Sequence, residues 1–243
     1  MHRSAPRLTR ILACAAVPVM LVVAGCSSLS GSDSKKDSGS DSSSSASSSQ
    51  GGQKPATVDP AKYAKLPEPC TSVSSKTIAK LVPETKVKAG TAGKSSDTTS
   101  RGSCSWNGLD DNGVKGSQYR WLDVSFLRYE SEQSLGVSGK QRAEDNYAKE
   151  IANTKATEGA KSVRTSPASG VGEAATAIGY ELKKTGEDFT YATIVTRVDN
   201  IVITLTYNGT GYAGAKSPSS TDLMEGAVAA AKEAVASVGT ANK

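Results

Sequence analysis

The chain has 243 residues and a formal net charge of +5 at pH 7, with three of its cationic side chains, Arg3, Arg7 and Arg10, among the first ten residues. Without them the balance is about +2, so nothing points to a basic nucleic-acid-binding surface. The one histidine, His2, lies in the same stretch, so the rest of the chain has no imidazole. That excludes Ser-His-Asp and Cys-His catalysis and histidine-ligated metal there.

The first 25 residues read as an address. A basic start precedes an apolar run, Ile11 to Ala24. At about 14 residues the run is short of the roughly 20 needed to span a bilayer, and it suits the core of a secretory signal peptide. It ends in Leu21-Val22-Val23-Ala24-Gly25-Cys26. This run resembles the bacterial lipobox, in which small residues admit the signal peptidase and the cysteine thiol takes the lipid. Residues 1–25 are therefore expected to be removed and Cys26 to be acylated. Two acyl chains hold a protein stably where one is marginal. The partner expected from this is the membrane, with the protein on its extracellular face.

Residues 26–60 form the next expected unit. After Cys26 they are Ser, Gly, Asp and Lys with almost no apolar side chain. Such a segment buries too little surface to offset its ordering entropy, so it is expected to be a disordered tether. As a flexible coil its root-mean-square span is about 30 Å.

Residues 61–243 are expected to form one folded domain, long enough for a sizeable core. Of the four cysteines, Cys14 leaves with the leader and Cys26 takes the lipid. Cys70 and Cys104 remain in a disulfide-permitting compartment and are expected to pair. They do not form the Cys-x-x-Cys of a redox pair.

In chain order, Ser74 or Ser75 caps a helix carrying Ile78, Leu81 and Val82 and stopped by Pro83. Ser103 to Trp106 reads as a short strand and Tyr119 to Tyr129 as a long one. Gln141 to Asn153 places Ala143, Tyr147 and Ile151 at i, i+4 and i+8 of a helix. Ile178 to Lys183, Tyr191 to Val198 and Ile201 to Tyr207 are three strands, joined by turns at Gly186-Glu187-Asp188 and Asp199-Asn200. A last helix, Ser220 to Val238, carries Met224, Val228, Ala231, Val235 and Val238 on one stripe. The expected fold class is α+β: a two-layer sandwich of an antiparallel sheet with helices packed on one face. The other face then meets water, at least in part.

That outer face holds the candidate ligand-binding residues. Along Tyr119–Tyr129, Leu122, Val124 and Phe126 share one side, and Tyr119, Trp121, Leu127 and Tyr129 share the other. If the aliphatic side meets the helices, then Tyr119, Trp121 and Tyr129 are either open to a ligand or covered by a loop such as Lys86–Arg101. Trp106, beside Cys104, is expected to pack on the disulfide.

Several motifs look like chemistry without its context. Gly209-Thr210-Gly211-Tyr212-Ala213-Gly214 matches G-x-G-x-x-G, but Lys216-Ser217-Pro218 separates it from the helix and no further strand follows. Asp110-Asp111-Asn112-Gly113 lacks the alternating ligands of a calcium loop. Ser138, in Gly136-Val137-Ser138-Gly139, lacks the full nucleophile-elbow spacing and has no histidine partner. Glu144-Asp145 and Glu187-Asp188 read as solvated pairs on a helix and a turn. No catalytic residue, metal or cofactor is expected.

Pro69-Cys70, the short helix ending at Leu81-Val82, Cys104-Ser105-Trp106 and the Gly170-Val171-Gly172-Glu173-Ala174 stretch together resemble a family of actinobacterial secreted lipoproteins of unknown function. The resemblance implies lipid anchoring, the Cys70–Cys104 disulfide and a non-catalytic domain, and names no activity. The expectation is a binding or interaction module at the cell envelope, with a glycan, a small ligand or an envelope protein as target. Its rivals are a histidine-free carboxylate enzyme acting on glycans, which needs two facing acids across a groove, and a structural partner of an envelope complex.

Overall fold

A computed structural model describes residues 57–243. The segment read as a leader, with His2 and Cys14, the expected lipid site Cys26 and the segment read as a tether, up to residue 56, lie outside the described residues. In chain order the elements are α1 (Ser75–Leu81), β1 (Thr91–Ala92), β2 (Arg101–Asp111), β3 (Ser117–Arg128), α2 (Gly139–Lys155), β4 (Lys161–Pro167), β5 (Ala174–Lys184), β6 (Glu187–Val198), β7 (Ile201–Tyr212) and α3 (Ser220–Ala241). The strands make one seven-stranded sheet in the order β1-β2-β3-β7-β6-β5-β4. All of its pairs are antiparallel. Two meanders, β1–β3 and β4–β7, are thus sewn together where β3 meets β7, from Ser117↔Tyr212 to Arg128↔Ile201.

Strand alternation sorts the side chains onto two faces. One carries Leu122, Val124 and Phe126 of β3, Ile203, Leu205 and Tyr207 of β7, and Ala192 and Ile194 of β6. On this face lie α1, through Ile78 and Leu81, and α3, through Leu223, Ala227, Ala230, Ala231, Ala234 and Val238. The buried stripe of α3 is rotated from the one read in the sequence, since Met224, Val228 and Val235 are only partly buried. The reason is distance: alanines and Gly226 let the helix approach the sheet closely. A Cβ at Gly226 would stand 2.7 Å from Leu81 and 3.0 Å from the Tyr207 ring. The Tyr207 hydroxyl donates to the Leu81 carbonyl at 2.5 Å, tying the end of α1 to the sheet.

The expectation that all helices share one face does not hold for α2. Ala143, Tyr147 and Ile151 pack with Ile178, Tyr180, Phe189, Tyr191, Val195 and Val202, side chains of the opposite face. Two polar contacts pin α2 there. The Tyr147 hydroxyl lies 2.7 Å from Thr176 Oγ1. Glu144, read as a solvated acid, sits 3.4 Å from the nearly buried Arg197 of β6, which also bonds Glu173 at 2.9 Å. Topology explains the placement: α2 links β3, inside the sheet, to β4 at its far edge, so it must cross a face. The face it crosses has apolar positions on β5, β6 and β7 to receive it.

Cys70 and Cys104 are joined, with Cα atoms 5.1 Å apart. The segment after α1 closes over the bond. Gly90 has φ +79°, and a Cβ there would collide with Cys104 Sγ and stand 2.7 Å from the Trp106 indole. Trp106 packs against this region as expected, 2% exposed, its Nε1 donating to the Lys88 carbonyl at 3.3 Å.

The incoming chain is fastened by two asparagines. Asn200, wholly buried in the β6–β7 turn, donates from Nδ2 to the Tyr63 and Tyr129 carbonyls and accepts the Tyr63 N–H, each at 2.9 Å. Asn242, capping α3, accepts the Ala64 and Lys65 N–H groups at 3.0 Å. Asn200→Ala would strand the backbone groups of Tyr63 and Tyr129, and the expected loss is about 2–4 kcal/mol. Urea unfolding checks it. Hydrogen exchange should show residues 61–66 losing protection first.

Candidate functional site

The three aromatic residues singled out on β3 do not share one fate. Tyr119 is half-buried in an aromatic cluster, its ring 6.1 Å from Phe189 and 6.5 Å from Tyr212, both in edge-on geometry. Burial pushes its phenol up, with the Asn107 amide opposing. Tyr129 is half-buried beneath the guanidinium of Arg142, 5.6 Å from its ring centroid. Trp121 stands 43% exposed. The Lys86–Arg101 segment does not cover it. Instead that segment crosses the disulfide and supplies the edge strand β1, paired Thr91↔Ser105 and Ala92↔Cys104.

The surroundings of Trp121 follow from register. Its neighbours are Asn107 on β2 and Asn208 on β7. Across the next strands lie Tyr191, paired with Asn208, and Tyr180, stacked on Tyr191 at 4.7 Å with the rings 7° from parallel. One rung along β3 comes Asp123, flanked by Ser105 and Thr206, and then Ser125, flanked by Ser103 and Thr204. Facing cross-strand Cβ atoms stand about 5 Å apart, so these groups form one continuous surface. Because α2 covers the β5–β6 side, the open part is a strip along β2 and β3. Outward from it point Asn107, Trp121, Ser105, Asp123, Ser103 and Ser125.

Asp123 shares the parity of Tyr119 and Trp121, a placement that a search for aromatic side chains does not reveal. Desolvation pushes its carboxyl up to about 6 from the usual 3.8. No hydrogen bond or positive charge among the described residues offsets that burial. A half-buried acid without a partner is costly. Asn146, a turn before Glu150 on α2, likewise has its Oδ1 buried with no hydrogen-bond partner among the described residues.

The strip runs between two concavities. At one end a hollow of about 440 Å³ is lined by Asn107, Leu109, Asp111 and Tyr119, with Glu84 and Lys86 opposite. At the other end one of about 700 Å³ is lined by Ser103, Ser125 and Leu127, with Asp97, Arg101 and Glu150 at its rim. Both ends mix charge signs, and the middle has one carboxylate among amides and hydroxyls.

The remaining sequence motifs fall into structural roles. Gly209 and Gly211 lie within β7, where Gly211 faces Ala215 too closely for any side chain. The Asp111 carboxylate accepts the Gly113 N–H at 3.0 Å and the Ser117 hydroxyl at 2.9 Å, holding the β2–β3 hairpin. The Ser138 hydroxyl caps α2 by accepting the Gln141 N–H at 3.1 Å.

No protein-family model matches the chain, and no curated protein does. Among solved structures it is similar to LpqN of Mycobacterium tuberculosis, described as involved in cell envelope biogenesis, at 17% identity and a TM-score of 0.27. That match covers 51% of this chain and 65% of the LpqN chain, so this protein spans just under two thirds of LpqN's length.

Proposed function

We propose that this protein is a lipid-anchored envelope module, held on the extracellular face of the membrane through Cys26, that binds a ligand on the β2–β3 strip. The leader and lipobox support the anchoring, and the Cys70–Cys104 disulfide fits an oxidising compartment. The observation that carries the binding reading is the pairing of an open indole, Trp121, with a desolvated and unpartnered carboxyl, Asp123, on one strand face. Neither arrangement stabilises the fold, and departures from stability concentrate where a protein binds.

Two measurements on intact cells test it. Radiolabelled palmitate should enter the wild type and not Cys26→Ala. A photo-crosslinking residue in place of Leu109, 43% exposed at the Tyr119 end of the strip, should capture an envelope component, while the same residue in place of Leu135, 74% exposed on the loop before α2, should not. Equal capture at both positions would remove the binding reading.

A second reading has Asp123 behind it. A carboxyl that stays protonated to about pH 6 is suited to donate a proton to a glycosidic oxygen. That chemistry needs a second acid facing it, and burial alone raises the Asp123 carboxyl, with no neighbouring acid contributing. Hydrolysis abolished in Asp123→Asn with binding retained would establish this reading in place of the first.

A further inference from the structure

We infer that the ligand of the β2–β3 strip is a neutral linear glycan lying lengthwise along β3, an inference that rests on the binding reading above. Three observations point to this occupant.

The first is shape. The two hollows lie at opposite ends of the same pair of strands, one at Tyr119 and one at Leu127. At a rise of about 3.3 Å per residue the eight steps between them span about 26 Å, the length of roughly five pyranose units in an extended chain. A single small ligand would leave most of that strip unused.

The second is chemistry. A sugar ring presents a face of C–H bonds and an edge of hydroxyls. Trp121 offers the flat apolar surface for the first. Asn107, Ser105, Ser103 and Ser125, spaced two residues apart on β2 and β3, offer donors and acceptors for the second. Asp123 sits at the centre, where its two oxygens accept from a pair of neighbouring hydroxyls and gain the partners the fold does not provide.

The third is charge. A polyanion would meet the Asp123 carboxylate at the middle of the strip and Asp111, Glu84, Asp97 and Glu150 at its ends. A polycation would meet Arg101, Lys94 and Lys86 there. A chain without charge is opposed by neither. An extended peptide would seek a sheet edge for its backbone hydrogen bonds, and this strip is a face.

The test is titration of the mature chain, made soluble by Cys26→Ser, with linear hexasaccharides of N-acetylglucosamine, glucose in β1,4 linkage, glucose in α1,4 linkage and mannose. The corresponding disaccharides are run alongside. Indole fluorescence reports on the site, because the other tryptophan, Trp106, is buried on the disulfide side of the sheet. Calorimetry supplies the affinity.

At least one hexasaccharide should bind, with its disaccharide tenfold or more weaker. Trp121→Ala should lower hexasaccharide affinity at least tenfold. Ser103→Ala with Ser125→Ala should weaken the hexasaccharide several-fold and leave the disaccharide unchanged, while Leu135→Ala changes neither.

Equal affinity for di- and hexasaccharide overturns the lengthwise chain and leaves the binding reading standing. Binding that Trp121→Ala does not touch overturns both. No response to any of the sugars overturns the glycan. If cleavage of the tether ahead of residue 57 then shifts Trp121 emission, the occupant is the chain's own serine-rich segment.

Discussion

Asp123→Asn is expected to raise the midpoint of thermal unfolding at pH 7.5 and to leave it unchanged near pH 3. The carboxyl titrates at about 6 in the folded protein against an ordinary 3.8. A raised folded pKa means that the native state holds its proton more tightly than the unfolded chain. Stability therefore falls as pH rises from about 4 to about 6 and stays at its lower level above that. A shift of this size corresponds to about 2–3 kcal/mol once the group's remaining exposure is allowed for. The uncharged amide removes that cost where the acid is ionised, and at 2–4 °C per kcal/mol the gain is about 5–10 °C. At about pH 3, below both pKa values, both states of the wild type are protonated, so the two proteins should melt together. An equal gain at both pH values would show that packing, and not ionisation, is responsible. A loss at pH 7.5 would show that the carboxylate has a partner. The same substitution should weaken ligand binding, because the stability given up at this position is the stability that a bound hydroxyl pair restores.

Replacing both Cys70 and Cys104 by alanine is expected to have the largest effect on stability. The bond spans 34 residues of chain, for which the loop-entropy model gives about 3–4 kcal/mol. That corresponds to a fall of about 8–14 °C in the unfolding midpoint. The bond should also resist reductant while the domain is folded. Cys104 is 1% exposed beneath Gly90 and Trp106 and Cys70 is partly buried against the same core, so attack by a thiolate on either sulfur is hindered until the residues over the disulfide lift. Reduction of the native protein by dithiothreitol should therefore be slow and accelerate steeply in denaturant. Fast reduction without denaturant would contradict the covered geometry.

Much of the fold was legible from alternation and punctuation. The long strand through Leu122, Val124 and Phe126, the β5–β6–β7 meander and the three helices are where the periodicities put them. Strands β1 and β4 left no such trace. Residues Lys161 to Pro167 of β4 are exposed throughout, and β1 is only two residues long. An edge strand with both faces in water has no apolar alternation, and its charges and proline are what keep it from pairing further. The position of α2 did leave a trace. Tyr191, Ala192, Ile194 and Val195 are apolar on both parities, the mark of a strand covered on two sides. Strand propensity alone accounts for such a run, so it does not by itself announce a second layer of packing. At the site, Trp121 was legible as an aromatic on the outer parity. Asp123 shares that parity, but a search for aromatic side chains does not single it out.

The sequence by itself determined the expected route of export, the absence of histidine after residue 2, the two cysteines expected to pair and the parity of the strands with apolar alternation. These are properties of composition and local period, and they need no knowledge of what lies across space. Tertiary structure alone decided which outward residues stay outward. Trp121 and Asp123 carry no local signal separating them from Tyr119 and Tyr129. They differ because α2 crosses the β5–β6 side of the sheet, and because the segment after α1 closes over the disulfide instead of the aromatic face. Burial is a property of neighbours, so a charge becomes costly and an indole becomes available only once those neighbours are placed.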